Sequence, residues 1–182
     1  MSAPSSASAS EWSSAGGVEG RPPSRRSSAL VVTVSTRASA GVYEDRSGPV
    51  LVEGLRECGF EVGEPVVVPD GDEVGAALRD AVAAGHAVVL TTGGTGLNPN
   101  DHTPEQTRAV LEREVPQLSA AVAAYGVAHG VPTATLSRGV AGTAGGTLIV
   151  NLPGSSGGAR DGMAVLAPVL QHAVSQLRGG DH

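Results

Sequence analysis

A glycine-rich loop that follows a short apolar segment is the feature that most constrains the fold of this chain. The apolar segment covers 86–91, and the loop begins with Thr-Thr-Gly-Gly-Thr-Gly at 91–96 and continues to Asp101. Thr-Pro-Glu-Gln at 103–106 then has the cap, proline and glutamine that favour a helix start. A strand, a glycine turn and a helix in this order predict an open α/β sheet, in which ligands bind beyond the carboxyl ends of the strands. The loop therefore predicts the floor of a site for a phosphorylated or otherwise anionic ligand.

The other segments alternate between strand-like and helix-like patterns. Apolar or β-branched runs predict further strands over 29–36, 60–69 and 147–152. Apolar residues at helical spacing predict helices over 48–58, 71–84, 103–125 with a break near Pro116, and 163–177. The glycines at 142–146 predict a turn. Strands that alternate with helices indicate a mostly parallel sheet flanked by helices.

The first 28 residues differ in composition from the rest. They are rich in serine, proline and arginine and lack a periodic apolar pattern. This predicts a disordered leader over 1–28 and a single folded domain over 29–182. Arg25-Arg26 and the following apolar run resemble a twin-arginine export signal. The run is shorter than the roughly 7–15 residues of such a signal, so we interpret it as the first core strand.

The charged and sulfur-containing residues exclude several classes of site. Apart from histidine, all 12 basic residues are arginine, which excludes a P-loop lysine and a Schiff-base lysine. The net charge of -6 gives no general attraction to nucleic acid. Cys58 is the single cysteine, which excludes an internal disulfide and a thiolate metal cluster. No apolar run approaches the ~20 residues of a membrane-spanning helix. We expect a cytoplasmic protein without nucleic-acid or membrane partners.

A second glycine-rich turn, Pro-Gly-Ser-Ser-Gly-Gly at 153–158, follows the predicted strand 147–152. Like the turn at 93–96, it precedes a predicted helix. Backbone N–H groups in such turns can approach an anion closely, and the partial positive charge of a helix N-terminus favours phosphate or carboxylate. Neither turn matches a named nucleotide-binding motif, so a purely structural role as tight turns stays open on these patterns alone.

Two carboxylates, Asp70 and Asp101, follow different predicted strands by a few residues. In a parallel sheet both would lie at the same edge, near each other if their strands are neighbours. Mg²⁺ usually binds one or two carboxylates together with the phosphates of a substrate, so the pair predicts a Mg²⁺ site beside the glycine turns. The alternative for each aspartate is a helix cap, and Asp70 begins a capping-box pattern at 70–73.

Arginine and hydroxyl side chains in other loops extend the candidate site. Ser35 and Arg37 follow the first predicted strand, and Arg138 lies in a loop before the last one. Arginine at such positions commonly binds phosphate or carboxylate through two hydrogen bonds. The alternatives are an ordinary loop and a solvated surface arginine. His102, next to Asp101, is interpreted as a bystander.

Six short segments occur in a recognisable order along the chain. They are Val-Ser-Thr-Arg at 34–37, Val-Pro-Asp at 68–70, Thr-Thr-Gly-Gly-Thr-Gly at 91–96, Asp-His-Thr-Pro-Glu at 101–105, Ser-Arg at 137–138 and Asn-Leu-Pro-Gly-Ser at 151–155. Together they resemble the Mog-type molybdopterin-binding family, which includes the gephyrin G domain. The resemblance covers about residues 29–178, and its most specific part runs from 91 to 104.

The resemblance implies a three-layer αβα sandwich with a mostly parallel central sheet, a homotrimer and a pterin site. Active members of the family adenylylate molybdopterin with Mg²⁺ and ATP, which implies a molybdopterin adenylyltransferase of molybdenum cofactor biosynthesis. The resemblance assigns the catalytic, metal-binding carboxylates to Asp70 and Asp101. Together with the loop patterns described above, the resemblance implies a set of substrate-binding residues: Ser35, Arg37, Gly93, Gly94, Thr95, Gly96, Thr103, Ser137, Arg138, Pro153, Gly154, Ser155 and Asp161. Relatives similar to gephyrin carry a glutamate in place of Asp161, so the reach of this carboxylate is shorter here.

Two other functions are alternatives. A MoaB-like sister branch often lacks the Pro-Asp pair and has a changed Asp-x-Thr-Pro motif, and a non-catalytic molybdopterin carrier of that branch is the first alternative. This chain retains both motifs, which favours the adenylylating branch. The second alternative is an enzyme of related fold that acts on another nucleotide, such as a pyrophosphatase-like domain. The insertion domain of fused relatives is not expected in a chain of this length, so a molybdate-insertion protein is a candidate partner.

Overall fold

The computed structural model describes residues 26–42 and 44–180. Residues 1–25 of the predicted disordered leader lie outside the described residues, and the first strand begins at Ser28, the last residue assigned to that leader. Within the described residues, seven strands form a single sheet. In chain order they are β1 Ser28–Val34, β2 Glu61–Val62, β3 Val66–Val68, β4 Val88–Thr92, β5 Arg113–Glu114, β6 Ala141–Ala144 and β7 Thr147–Leu152.

The sheet is parallel over most of its width, as predicted. β1 pairs in parallel with β2 and β3 on one side and with β4 on the other, and β4 pairs in parallel with β7. β6 is antiparallel to β7, and β5 is antiparallel to β6. The order across the sheet is β2–β1–β4–β7–β6–β5, with β3 beside β1 on the same edge as β2.

Two predictions about strands need correction. The predicted strand 60–69 consists of two short strands, because Gly63 and Pro65 lie between them and proline cannot donate to a strand ladder. The turn predicted over 142–146 is wrong in its first part, because Ala141–Ala144 forms β6 and the turn lies at Gly145 and Gly146, with φ of 53° and 84°. The small residues of β6 have no strand pattern of their own, and β6 is ordered by its pairing with β7.

Six helices and one 3₁₀ turn connect the strands in the part of the chain that the structure describes. They are α1 Thr36–Ser39, α2 Gly48–Glu57, α3 Asp72–Ala83, α4 Thr103–Arg108, α5 Pro116–Ala128, the 3₁₀ turn Pro132–Leu136 and α6 Ser156–Leu177. The predicted helices 48–58 and 71–84 are confirmed to within one residue at each end. The predicted break near Pro116 separates α4 from α5, with β5 between them.

Helices cover both faces of the sheet and produce three layers. α2, α5 and α6 pack on one face, where Leu55 and Leu166 are fully buried against Val88 and its neighbours. α3 packs on the other face through Leu78, with α4 beside it. Val88 and Val89 are consecutive in β4 and point into the two different cores. The predicted three-layer αβα architecture is confirmed.

The parallel strands β1, β3, β4 and β7 end at the same edge of the sheet. The loops that follow Val34, Val68, Thr92 and Leu152 therefore leave this edge together. In open α/β sheets this edge is where ligands bind. Among the described residues, no helix combines the length and the apolar character needed to cross a membrane.

Candidate active site

The turn after β4 depends on two glycines with positive φ angles. Gly93 has φ 104° and Gly94 has φ 63°, a backbone region that disfavours residues with a Cβ. Space is also restricted, because a Cβ on Gly93 would overlap with the carbonyl oxygen of Val34. A Cβ on Gly94 would overlap with Asp70 Oδ2 and Thr103 Oγ1. The two glycines thus allow the loops after β1, β3 and β4 to approach each other closely.

The two candidate carboxylates accept backbone N–H groups and do not cap the helices that follow them. Asp70 Oδ1 accepts a hydrogen bond from the N–H of His102, and Asp101 Oδ2 accepts one from the N–H of Gly96, each at 3.0 Å. The N-cap positions are Gly71 for α3 and His102 for α4, and neither helix has a side-chain cap. The capping alternative is therefore wrong for both aspartates.

The surroundings of Asp70 disfavour its charged form. Burial raises the pKa of Asp70, and the negative charge of Asp101 raises it further, while the N–H of His102 acts in the opposite direction. The two carboxylates are thus close enough for their charges to interact, although β1 separates β3 from β4 in the sheet. A cation between them would favour the ionised form of both.

Arg138 fixes the loop that carries Asp101. Its Nε donates to the carbonyl oxygen of Gly96 at 2.7 Å, and its Nη2 donates to the carbonyl oxygen of Asp101 at 2.6 Å. Its Nη1 donates to the carboxylate of Glu105, and its backbone N–H donates to the carbonyl oxygen of Thr95 at 2.8 Å. The guanidinium therefore ties the start of the loop to its end and to the first turn of α4.

The turn after β7 lies against the turn after β4. Thr92 Oγ1 donates to the carbonyl oxygen of Pro153 at 2.8 Å, and a Cβ on Gly154 would come within 3.1 Å of Gly93 Cα. Ser155 is the N-cap of α6, and its Oγ accepts an N–H of the first helical turn at 3.0 Å. The N-terminus of this 22-residue helix therefore directs its partial positive charge toward the same edge of the sheet.

A cavity of about 640 Å³ opens beside the two turns. The loops after β4 and β7 form its floor, and α5, the 3₁₀ turn and the first turns of α6 form its walls. A cavity of this volume is large enough for a small molecule. The predicted site residues that line it are Gly93, Gly94, Thr95, Gly96, Asp101, Ser137, Pro153, Gly154, Ser155 and Asp161.

The other predicted site residues do not line this cavity. Ser35 lines a smaller cavity of about 390 Å³ and caps α1 through its Oγ. Arg37 is exposed on α1. Asp70 and Thr103 lie against the glycine turn, and Thr103 is the first residue of α4 rather than its cap, with a fully buried side chain. Arg138 contacts the loop that it fixes through the hydrogen bonds to Gly96 and Asp101. Contacts of these residues with a substrate stay predictions.

Three buried polar residues near the cavity are absent from the site residues predicted from the sequence. Asn151 Nδ2 donates to Thr91 Oγ1 at 3.0 Å and to Thr107 Oγ1 at 2.9 Å. Asn151 Oδ1 accepts the N–H of Val140 at 3.1 Å. Thr91 and Thr107 are fully buried, and Asn151 is 2% exposed. The sequence did contain a signal, because an asparagine in the apolar strand 147–152 requires hydrogen-bond partners when it is buried.

The donor set at this edge fits a Mg²⁺ ion that shares its coordination with a ligand. Asp70 and Asp101 supply carboxylate oxygens, which are the ligands that this ion prefers. Within the described residues, no group of three or more His, Cys, Asp or Glu side chains could hold a metal ion. The remaining coordination positions would therefore come from water and substrate phosphates.

The fold and the site define a class of protein: an open α/β domain with a glycine-rich cavity at the carboxyl edge of its sheet and paired carboxylates beside it. Residues 30–172 match the family model described as "Probable molybdopterin binding domain". The chain belongs to this molybdopterin-binding family, and the resemblance seen in the sequence is confirmed.

Known relatives and solved structures agree with this assignment. The chain is 38% identical over 155 residues to a molybdenum cofactor biosynthesis bifunctional protein of Synechococcus elongatus, with 85% of this chain and 48% of that protein covered. It is 32% identical over 152 residues to a molybdopterin adenylyltransferase of Pyrococcus furiosus, with 81% of this chain and 89% of that protein covered. The structure of the molybdopterin biosynthesis Mog protein from Mycobacterium ulcerans matches with a TM-score of 0.81 at 50% identity, over 86% of this chain and 99% of that chain. The chain thus spans about half the length of the bifunctional relatives that it matches.

Proposed function

We propose that this protein is a molybdopterin adenylyltransferase of molybdenum cofactor biosynthesis. In this reaction AMP is transferred from ATP to the terminal phosphate of molybdopterin, and pyrophosphate is released. The observation that carries the proposal is the composite site, in which two glycine turns and a helix N-terminus border one cavity and two carboxylates lie against the same loops. Relatives that this chain matches over most of their length bear the same name, which supports the proposal.

The cavity suits a pterin with a phosphorylated tail. Asp161 lines its wall near Gly126 of α5, where a carboxylate can accept hydrogen bonds from the N–H groups of a pterin ring. The turns at 93–96 and 153–155 offer backbone N–H groups and hydroxyls to the phosphate at the other end of the molecule. The large cavity therefore takes molybdopterin, with the phosphate directed toward the two turns.

Adenylyl transfer depends on positioning and charge neutralisation more than on a covalent nucleophile of the protein. A phosphate oxygen of molybdopterin forms a bond to the α-phosphorus of ATP. The bond from that phosphorus to the bridging oxygen breaks, and its electron pair leaves with pyrophosphate. Asp70 and Asp101 would hold a Mg²⁺ ion, which would supply positive charge beside the phosphates. The protein orients Asp101 through the N–H of Gly96 and through Arg138, which fixes its loop.

The site is proposed to act in a cytoplasmic homotrimer that delivers its product to a molybdate-insertion protein. Support for an oligomer comes from α5, which is mostly apolar although only Val122 and Gly126 of this helix are buried. A helix that is apolar on all sides is normally buried. Val127 is an exposed apolar side chain of α5 that lies outside the cavity lining, and a partner subunit would cover it.

Product formation tests the proposed activity directly. The full chain is incubated without oxygen with molybdopterin, ATP and Mg²⁺, and the products are analysed by mass spectrometry. We expect a molybdopterin that carries AMP, with one pyrophosphate released for each product molecule. Omission of ATP or chelation of Mg²⁺ should abolish both products.

The alternatives give different outcomes in the same experiment. Tight binding of molybdopterin without product would overturn the proposed activity and favour the carrier. Cleavage of a nucleotide in the absence of molybdopterin would favour the pyrophosphatase-like enzyme. A thermal-stability screen of pterins against nucleotides would then identify which ligand class stabilises the protein.

A further inference from the structure

A buried chain of hydrogen bonds leads from the cavity floor to the start of α4. Asn151, which lines the cavity, donates both N–H groups of its amide within the protein, one to Thr91 and one to Thr107. Thr107 Oγ1 donates in turn to the carbonyl oxygen of Thr103 at 2.7 Å. All four residues are buried. The side chain of Asn151 therefore connects β4 and β7 with the first turn of α4.

Thr103, the last residue in this series of hydrogen bonds, has an unusual environment for a buried threonine. Its side chain is fully buried, and its Oγ1 has no hydrogen-bond partner among the residues that the structure describes. A buried hydroxyl without a partner is destabilising, and such groups in native proteins call for an explanation. Other buried threonine hydroxyls donate within the protein: Thr33 to Asp45, Thr92 to Pro153, Thr107 to Thr103 and Thr147 to His86.

The Asp70 carboxylate is next to this unpaired hydroxyl. A Cβ on Gly94 would overlap with both Thr103 Oγ1 and Asp70 Oδ2, so the two oxygen atoms face the same small space. The other carboxylate oxygen, Asp70 Oδ1, already accepts the N–H of His102. The Thr103 hydroxyl is a donor without an acceptor, and Asp70 Oδ2 is an acceptor beside it.

We propose that Thr103 is a positioning residue for Asp70, whose Oδ2 accepts the Thr103 hydroxyl when the substrates order the site. This bond sets the direction in which the carboxylate faces the cation and the substrate phosphates, and Asn151 holds Thr103 in place through Thr107. The inference rests on the proposed function, since it assigns Asp70 to the metal-dependent step of that reaction. For Thr103 we propose this positioning role in place of the direct substrate contact predicted from the sequence, because a fully buried side chain presents no surface to a substrate.

Two substitutions of Thr103 test this role. Thr103→Val retains the shape of the side chain and removes the hydroxyl, whereas Thr103→Ser retains the hydroxyl. The first measurement is steady-state kinetics, which gives kcat and KM for molybdopterin. The second is the affinity for Mn²⁺, measured by electron paramagnetic resonance in the presence of α,β-methylene-ATP, an ATP analogue that cannot transfer AMP. Loss of a group that orients a metal ligand typically costs 10–100-fold, so we expect Thr103→Val to lower kcat and Mn²⁺ affinity by about that factor. KM for molybdopterin should not change, and Thr103→Ser should restore most of both losses.

Thr147→Val is the matched control. It removes a buried hydroxyl that donates to the carbonyl oxygen of His86 at 2.6 Å, at the opposite edge of the sheet. We expect it to lower thermal stability without changing kcat or Mn²⁺ affinity. If Thr103→Val does not fold, Thr107→Val carries the test with the same expectations, because it removes the support of Thr103.

Failure of the role proposed for Thr103 and failure of the proposed function give different results in these experiments. Wild-type kcat and Mn²⁺ affinity in Thr103→Val, or equal losses in Thr147→Val, would overturn the role of Thr103 alone. Wild-type protein that forms no product would overturn the proposed function instead. In that case the Mn²⁺ titration of the same variants still determines whether Thr103 orients Asp70.

Discussion

Position 94 shows how one residue type can be required by its backbone and by its neighbours together. Gly94 has φ 63°, and a Cβ there would overlap with Asp70 Oδ2 and Thr103 Oγ1. Gly85, after α3, has a similar φ of 76°, but no atom lies within 4 Å of the place that its Cβ would occupy. The two glycines therefore separate the effect of the backbone conformation from the effect of crowding at the site.

Alanine substitutions at these two glycines should have unequal consequences. Gly85→Ala should cost about 1–2 kcal/mol, the cost of a left-handed conformation, and leave adenylyl transfer unchanged. Gly94→Ala should cost more and lower turnover about 100-fold, because Asp70 must move and a displacement of about 1 Å can have that effect. Urea unfolding and turnover of both variants provide the measurement. If both variants lose the same stability and Gly94→Ala keeps normal turnover, crowding by Asp70 and Thr103 does not restrict position 94.

The candidate site residues that could be predicted from the sequence are those that closely follow the carboxyl end of a parallel strand. Asp70, Asp101 and the glycines at 93–96 follow parallel strands, and such strands bring their exits to one edge whatever the details of the loops. The role of Arg138 could not be predicted, because its partners Glu105 and Gly96 are 33 and 42 residues away along the chain. An arginine in such a loop indicates an anion site, but the partners of Arg138 in the structure are the carboxylate of Glu105 and the backbone carbonyl oxygens of Gly96 and Asp101.

The loop between β4 and α4 is the element on which the geometry of the site depends. Arg138 joins Gly96 and Asp101 of this loop to Glu105 in α4. Partial burial acts to raise the pKa of Glu105, but hydrogen bonds from its own backbone and from Arg138, with the charges of Arg138 and Arg108, outweigh it and lower the pKa. The ion pair is half-exposed, so its value lies in placing the loop rather than in large stabilisation.

Arg138→Lys should separate the charge of this side chain from its geometry. Lysine keeps the positive charge but cannot donate in three fixed directions, so the loop carrying Asp101 is expected to lose its fixed position. We predict a loss of about 1–2 kcal/mol in the free energy of unfolding, from charged hydrogen bonds that are no longer made, and a fall in kcat. Unfolding in urea and steady-state kinetics measure both. Normal kcat in a destabilised Arg138→Lys variant would show that the loop keeps its position without the guanidinium.

Glu105→Gln should reveal the pH dependence of the same pair. Because the pKa of Glu105 is lower in the folded state, its ionised form stabilises the fold above the unfolded value of about 4.3, and this contribution is lost as the pH falls through the folded value. Wild-type protein should therefore be more stable than Glu105→Gln at neutral pH, by less than about 1 kcal/mol. The difference should disappear in acid. A constant difference in urea unfolding across this range would contradict an ionised pair.

The elements that sequence patterns identified are those stabilised by their own apolar faces. α2, α3 and α6 have such faces, and the bounds of α2 and α3 were predicted to within one residue. The predicted end of α6 at Leu177 is confirmed, but the helix begins at Ser156 rather than at the predicted Met163, because the glycines at 157 and 158 hide its first turns from an apolar pattern. β6 was predicted as a turn because Ala-Gly-Thr-Ala at 141–144 has no strand pattern, and its order comes from pairing with β7. α4 ends at Arg108 although the apolar pattern continues, because the chain then pairs with β6 as β5. Local sequence patterns do not show which distant segments pair as strands, and this pairing determines β5 and β6.

For the whole molecule, the composition of α5 is the feature that a single chain leaves unexplained. This helix has few polar residues, and most of its apolar side chains remain accessible. Val127, at 39% exposure, lies on α5 outside the cavity lining, whereas Val66, at 42% exposure, lies on the edge strand β3. The two valines offer matched positions at which to test a subunit interface.

Val127→Glu should disrupt the proposed trimer, whereas Val66→Glu should not. A buried unpaired charge at an interface is strongly unfavourable, and the same charge on a solvated edge is not. Light scattering after size exclusion should give three times the 18.0 kDa chain mass for wild-type protein and Val66→Glu, and a smaller mass for Val127→Glu. A wild-type monomer, or an intact trimer of Val127→Glu, would contradict an interface on α5.

We propose that the cavity binds molybdopterin while the carboxylates beside it serve the transfer of AMP. The most direct measurement compares molybdopterin affinity with turnover in Asp101→Asn. Asparagine keeps the size of the side chain and an acceptor for the N–H of Gly96, but it removes the charge. We predict an unchanged Kd for molybdopterin and a loss of turnover of about 100-fold or more, since a cation at such a site is worth several kcal/mol in the transition state. Unchanged turnover, or an equal loss of binding and turnover, would contradict the claim.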